Sequence, residues 1–199
     1  HWIDNEMALV VTEPATADYT DNAFAVMHSG NIEDAIATLK GLSENVNKIN
    51  GEKTDTTGFR GHTINRLDIL DVLPQLFGSQ FSRIRKNYYT SIGDYVVFGN
   101  SSEALVDFIT ACENNKTLIN DKNYAAFAEN ISTEANVYIY SAIACSTALC
   151  KSFVTEAVAA DMEKKSDLIH KFEAAGIQFT FNNKLFYSNV FLKYNPVYN

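Results

Sequence analysis

Apolar and polar positions along this chain switch between a period of two and a period near 3.6, and each switch marks an element. Residues 7–12 form a short β-rich run closed by Glu13-Pro14, which predicts a strand. After a polar loop, Ala23-Phe24-Ala25-Val26-Met27-His28 predicts a second strand, punctuated by Ser29-Gly30-Asn31. Asn31 suits a helix N-cap, and Glu33 and Asp34 favour the positive end of the helix dipole. Behind it Ile32, Ala35, Ile36, Leu39, Leu42 and Val46 recur at spacings of three and four, a stripe expected to face the core.

Residues 47–58 are polar and rich in Gly, Asn and Thr, and predict a loop. Residues 59–67 alternate weakly and predict a strand. Asp71 is positioned to cap a short helix that tolerates Pro74 in its first turn, with Gly78 as its stop. The clearest hairpin is residues 86–99, because Gly93-Asp94 supplies the positive φ of a tight turn. Ser101 then caps a helix carrying Ala104, Leu105, Phe108, Ile109 and Cys112 on one side. A further helix over 122–130 and a strand over 135–141 follow. The stretch 154–175 predicts one long helix, with Val158, Met162, Ile169 and Phe172 on one face and Gly176 ending it. Residues 178–191 predict a last hairpin turning at Asn182-Asn183.

These elements add up to an α+β fold, a largely antiparallel sheet built from hairpins with helices packed on one face. Ile36, Leu39, Val96, Phe98, Phe108 and Ile109 are expected to share one core. The segments beginning at Phe24 and Tyr95 share an order of apolar strand, polar turn, acidic helix start and apolar stripe. Two related strand–helix units would explain it, although any strand–turn–helix obeys the same rules.

Length and composition narrow the classes. The 199 residues fit a single α+β domain over 1–199, and 46% hydrophobic content is too apolar for disorder. A net charge of −8 opposes a nucleic-acid surface, which needs clustered Lys and Arg. No run of about 18 apolar residues predicts a membrane span. The chain starts His1-Trp2-Ile3 and still reads as strand near its last residues, so it is expected to be a fragment of a longer multi-domain protein.

Candidate chemistry is sparse. Cys112, Cys145 and Cys150 lack paired metal-ligand spacing, and are expected to pack as small hydrophobes, with a Cys145–Cys150 disulfide as the alternative. No nucleophile elbow, H-E-x-x-H, P-loop or G-x-G-x-x-G occurs. His28, His62 and His170 are isolated, and a site at His28–Ser29 or around His62 would need distant partners. The carboxylates Glu33, Asp34, Glu103, Asp107, Asp161 and Glu163 read as solvated helix faces rather than a glycosidase pair. Arg83, Arg85 and Lys86 beside Tyr88 and Tyr89 form the one basic cluster, better read as a solvated strand than as a nucleic-acid grip. Tyr88, Tyr89 and Tyr138 are the candidates for a sugar-stacking platform. Sequons at Asn100, Asn115 and Asn130 are about as many as chance supplies. No catalytic, cofactor-binding or metal-ligating residue is therefore assigned, and no cofactor is expected.

The segment Tyr-Thr-Ser-Ile-Gly-Asp-Tyr-Val-Val-Phe-Gly-Asn-Ser-Ser-Glu-Ala-Leu, residues 89–105, resembles a functionally uncharacterised family of large bacterial extracytoplasmic proteins. Similar features are Leu118-Ile119-Asn120-Asp121, Tyr124, Phe127, the strand from Asn136, the closing run from Leu185, and the Trp2-Ile3-Asp4 lead-in. In that family such a module precedes a propeller-like region. The resemblance implies a non-catalytic module of an exported envelope protein, periplasmic or lipid-anchored, with a binding, scaffolding or assembly role toward a protein or polysaccharide partner. The alternative reading is a hydrolase, or a carbohydrate- or peptide-binding domain, whose site a missing domain completes.

Overall fold

The computed structural model describes residues 2–13, 21–51, 55–182, 184–195 and 197. It is α+β, with antiparallel sheets of six and three strands. Where the sequence suggests one unit, contacts divide the chain into two compact ones, residues 1–115 and 116–199, each with its own sheet.

Among its described residues the first unit has three antiparallel strand pairs, three α-helices and a 3-10 turn at Ser79–Phe81. Its strands are β1 (Ile3–Val11), β2 (Ala23–Ser29), β3 (Thr56–Phe59), β4 (His62–Leu67), β5 (Asn87–Ile92) and β6 (Tyr95–Gly99), in the order β1-β2-β6-β5-β4-β3. Its helices are α1 (Ile32–Asn50), α2 (Val72–Phe77) and α3 (Ser102–Glu113). Capping follows the sequence: Asn31 Oδ1 accepts from the Asp34 amide at 3.0 Å and Ser101 Oγ from the Ala104 amide at 3.1 Å. Gly93 takes its positive φ of 55° between β5 and β6.

The helices do not share a face. Ala25, Met27, Val96, Phe98 and Tyr89 pack with Ala35 and Leu39 of α1, whereas Phe24, Val97 and Ile64 pack with Ala104, Leu105 and Ile109 of α3. Strand side chains alternate between faces, so two apolar sets per strand require two covering layers. The expected single core accordingly splits: Leu39, Val96 and Phe98 lie in one cluster with Ile36 against it, and Ile109 lies in the other with Phe108. The two strand–helix units, β2–α1 and β6–α3, run side by side but send their helices to opposite faces.

Three local expectations shift. The most buried line of α1 is Ala35, Leu39, Ser43 and Asn47, while Leu42 is exposed. Strict steps of four carry the contact onto two polar residues, and Ser43 Oγ meets both the Leu39 carbonyl at 3.0 Å and the Tyr89 hydroxyl at 3.4 Å. The helix also runs past residue 47 to a left-handed cap at Gly51. Beyond it, Thr56–Phe59 is a strand paired with His62–Leu67 across a turn in which Arg60 and Gly61 both take positive φ. Asp71 precedes α2 but makes no side-chain cap; its carboxylate pairs with Arg85 instead.

The second unit contains β7 (Val137–Ala142), β8 (Phe172–Asn182) and β9 (Leu185–Tyr194) in that order, with α4 (Lys122–Ala128), α5 (Ile143–Phe153), α6 (Glu156–Lys164) and α7 (Ser166–Ile169). Asp121 caps α4, accepting from the amides of Asn123 at 2.7 Å and Tyr124 at 3.2 Å. The expected long helix over 154–175 is instead α6, α7 and the start of β8, broken at Lys165. Gly176 is not a helix stop. It sits in mid-strand, where a Cβ would stand 2.7 Å from Phe127 Cζ. Phe127 of α4 is fully buried there, with the Tyr140 and Phe191 rings 5.2 and 5.0 Å away. The glycine gives the ring its room. In the final turn Lys184 has a positive φ of 69°, next to the Asn182–Leu185 pair; Asn183 lies outside the described residues.

Candidate binding surface

The groups able to do acid–base chemistry are dispersed by the fold. His28 Nδ1 is 3.2 Å from Asp4 Oδ2, with the Tyr95 ring meeting it edge-on at 5.2 Å. Ser29 points to the opposite face of β2, is buried, and accepts from the Asn31 amide at 3.2 Å, so no His28–Ser29 pair exists. His62 Nδ1 lies 2.9 Å from the Ser91 carbonyl, which places the ring proton on that nitrogen. Its other nitrogen faces Glu113 at 3.9 Å, and Glu113 is held by Arg60 at 2.8 Å. His28 and His62 are on β2 and β4, three strand spacings or about 14 Å apart across the sheet. One reacting atom cannot reach both.

The remaining sequence candidates are similarly separated. Glu33, Asp34, Glu103 and Asp107 are exposed on helix faces, and Asp161 and Glu163 pair with Lys165 and Lys151. Among the described residues no three His, Cys, Asp or Glu side chains converge as a metal site would require. Cys145 and Cys150 are exposed on α5 and are not joined to each other, so the alternative disulfide is absent and neither packs as a buried hydrophobe. Cys112 is half-buried, and burial pushes its thiol up. Tyr88 and Tyr89 cannot form one platform. Successive strand residues face opposite ways, and Tyr89 is fully buried against α1. The Arg83–Lys86 segment is fastened by Asn100, whose Oδ1 accepts from the Arg85 and Lys86 amides at 2.8 and 3.1 Å and whose Nδ2 donates to the Arg83 carbonyl. That buried amide leaves its sequon no accessible nitrogen, whereas Asn115 and Asn130 are exposed. No described helix is long and apolar enough to cross a membrane.

What stands out is the three-stranded sheet of the second unit. Register places Tyr138, Tyr140, Gly176 and Phe191 on the face covered by Phe127 and Tyr124 of α4. Burial pushes the Tyr138 and Tyr140 hydroxyls up, Tyr138 furthest, with the neighbouring Tyr124 adding to the effect. Gln178 belongs to the same face and clamps residue 132, donating to the Ser132 carbonyl at 2.6 Å and accepting from its amide at 3.0 Å.

The opposite face carries Val137 and Ile139 of β7, Ile177, Phe179 and Phe181 of β8, and Phe186, Val190 and Leu192 of β9. Six of these eight are half or more exposed, with Phe186 at 66% and Val190 at 62%. Phe179 and Phe186 stack at 5.5 Å, which pre-arranges an aromatic centre. Ser141 and Ser188 are the polar side chains on this face along the paired registers from Ala175 to Phe181, and none is charged. At roughly 100 Å² for each half-exposed large side chain, the six expose about 600 Å², the upper size of a monomer's largest apolar patch. Sequence reading identifies the hairpin but not this patch. A near-continuous apolar run such as residues 185–192 matches a strand covered on both faces, and only the fold shows one of them open.

No family model, curated protein or solved structure matches this chain.

Proposed function

We propose that this chain is a non-catalytic binding and assembly module that docks a protein partner through the open face of its three-stranded sheet. The observation that carries the reading is that face: eight apolar side chains, uncharged, with a stacked Phe179–Phe186 pair at 5.5 Å. A polysaccharide fits it less well than a protein, because sugar hydroxyls buried there would meet only Ser188 and Ser141, whose hydroxyl already bonds Ser146 of α5 at 2.6 Å, and would lose their hydrogen bonds. The dispersal of His28, His62 and the carboxylates supports a module without turnover of its own. An extracytoplasmic setting, periplasmic or lipid-anchored in a bacterial envelope, belongs to the same proposal and rests on the resemblance of residues 89–105.

The test compares accessibility in the cell and in isolation. In a Cys145→Ser, Cys150→Ser background, Val190→Cys is labelled with a maleimide in cells expressing the whole protein, and in the purified chain. Slow labelling in cells and fast labelling of the purified, dilute chain are expected. Equal rates would overturn the docking reading, and recovery of the protein in the cytosol would overturn the location.

A further inference from the structure

We infer that the partner seated on this face is a second copy of the same chain, the two sheets packing face to face as a small β-sandwich. The inference rests on the docking reading above and names the occupant. Two sheets packed in this way lie about 10 Å apart with the side chains of both inner faces interleaved. A two-fold axis through the face presents each copy with the same eight residues, an isologous contact.

Charge is the first argument. In a two-fold interface any charge near the axis meets its own copy, so a self-docking surface must keep its centre neutral. This face does. The one charged residue of β9, Lys193, lies on the opposite side of the sheet, 3.2 Å from Glu173 and 3.1 Å from the Asn123 carbonyl. A surface evolved for a charged partner would carry complementary groups on the patch or its rim.

Area is the second. With about 600 Å² of exposed apolar surface per copy, a pair covers about 1,200 Å², the lower bound of a specific protein–protein interface. A helix or loop narrower than the sheet would leave part of it wet. A second three-stranded sheet has the same width and length.

The experiment is sedimentation velocity on the purified chain over roughly 1–200 μM, the range expected of an interface at this lower size limit. Val190→Asp and Phe186→Asp place a charge on the face at exposed positions of β9, and Tyr187→Asp places one on the other side of the same strand, where Tyr187 is 55% exposed. The wild type and Tyr187→Asp should dimerise alike, and the two face variants should associate about 30-fold or more weakly while keeping the wild-type far-UV spectrum. If a face variant is misfolded, Ile139→Thr, milder and on β7, serves in its place, with weaker association expected. A monomer throughout the range, or a dimer indifferent to the face variants, would overturn the inference. Protection of position 190 in cells together with a monomeric purified chain would refute the second copy and leave the docking reading standing. Loss of both would remove both.

Discussion

Gly176→Ala is the sharpest test of how the second unit is packed. The added Cβ would lie 2.7 Å from Phe127 Cζ and 2.9 Å from Cε1, where carbon atoms in contact keep about 3.5–4.0 Å. The ring must therefore retreat by roughly 1 Å. It has little room, being fully buried with the Tyr140 and Phe191 rings at 5.2 and 5.0 Å. Overpacking of this kind costs about 1–3 kcal/mol, against about 0.4–1 kcal/mol gained because alanine restricts the unfolded chain. A net loss of about 1–2 kcal/mol is expected. Phe127→Leu removes the atoms that clash and should by itself cost about 1–2 kcal/mol. The double variant should then be more stable than the sum of the singles by about 1 kcal/mol, a coupling that only direct contact produces. Urea unfolding followed by near-UV tyrosine dichroism measures all four corners of the cycle, with unchanged m-values as the condition for comparing them. A neutral or stabilising Gly176→Ala, or strict additivity with Phe127→Leu, would refute the close contact between Gly176 and the Phe127 ring.

Other expectations bear on the first unit and on pH. Thr90 is fully buried with no hydrogen-bond partner for its hydroxyl among the described residues, so Thr90→Val should stabilise by about 1 kcal/mol in the same urea assay. A loss of stability there would reveal a hidden partner. Phe98→Ala empties an aromatic site 5.9 Å from the Tyr89 ring and should cost about 3–5 kcal/mol; a loss under about 1 kcal/mol would contradict the assignment of its face. Burial raises the Tyr89, Tyr138 and Tyr140 hydroxyls above their ordinary value of 10.0, so the folded state holds protons that the unfolded state releases. That stability is fully present below about pH 10 and is lost as pH rises toward the raised folded values. Tyr89→Phe should make alkaline unfolding shallower, and an ultraviolet titration showing all ten tyrosines ionising near pH 10 in folded protein would refute the burial.

Features set by local physics are legible in the order of the amino acids. Asn31 and Ser101 start helices because their side chains reach the exposed amides of the next turn, and Gly93 turns a hairpin because it accepts positive φ. The α+β class follows from those elements. Periodicity failed where a residue answers to a distant neighbour. Gly176 has the signature of a helix end, yet its reason is Phe127, nearly fifty residues earlier. Ser43 and Asn47 interrupt an apolar stripe, yet the helix buries them against the sheet, where Ser43 meets Tyr89. Which face each helix covers was equally hidden, because alternation gives two apolar sets without saying what lies over either. The same holds for the candidate surface. Val137, Ile139, Phe186 and Val190 look in sequence like any buried strand residues, and it is the tertiary structure, placing α4 on the other side of the sheet, that leaves them open to a partner.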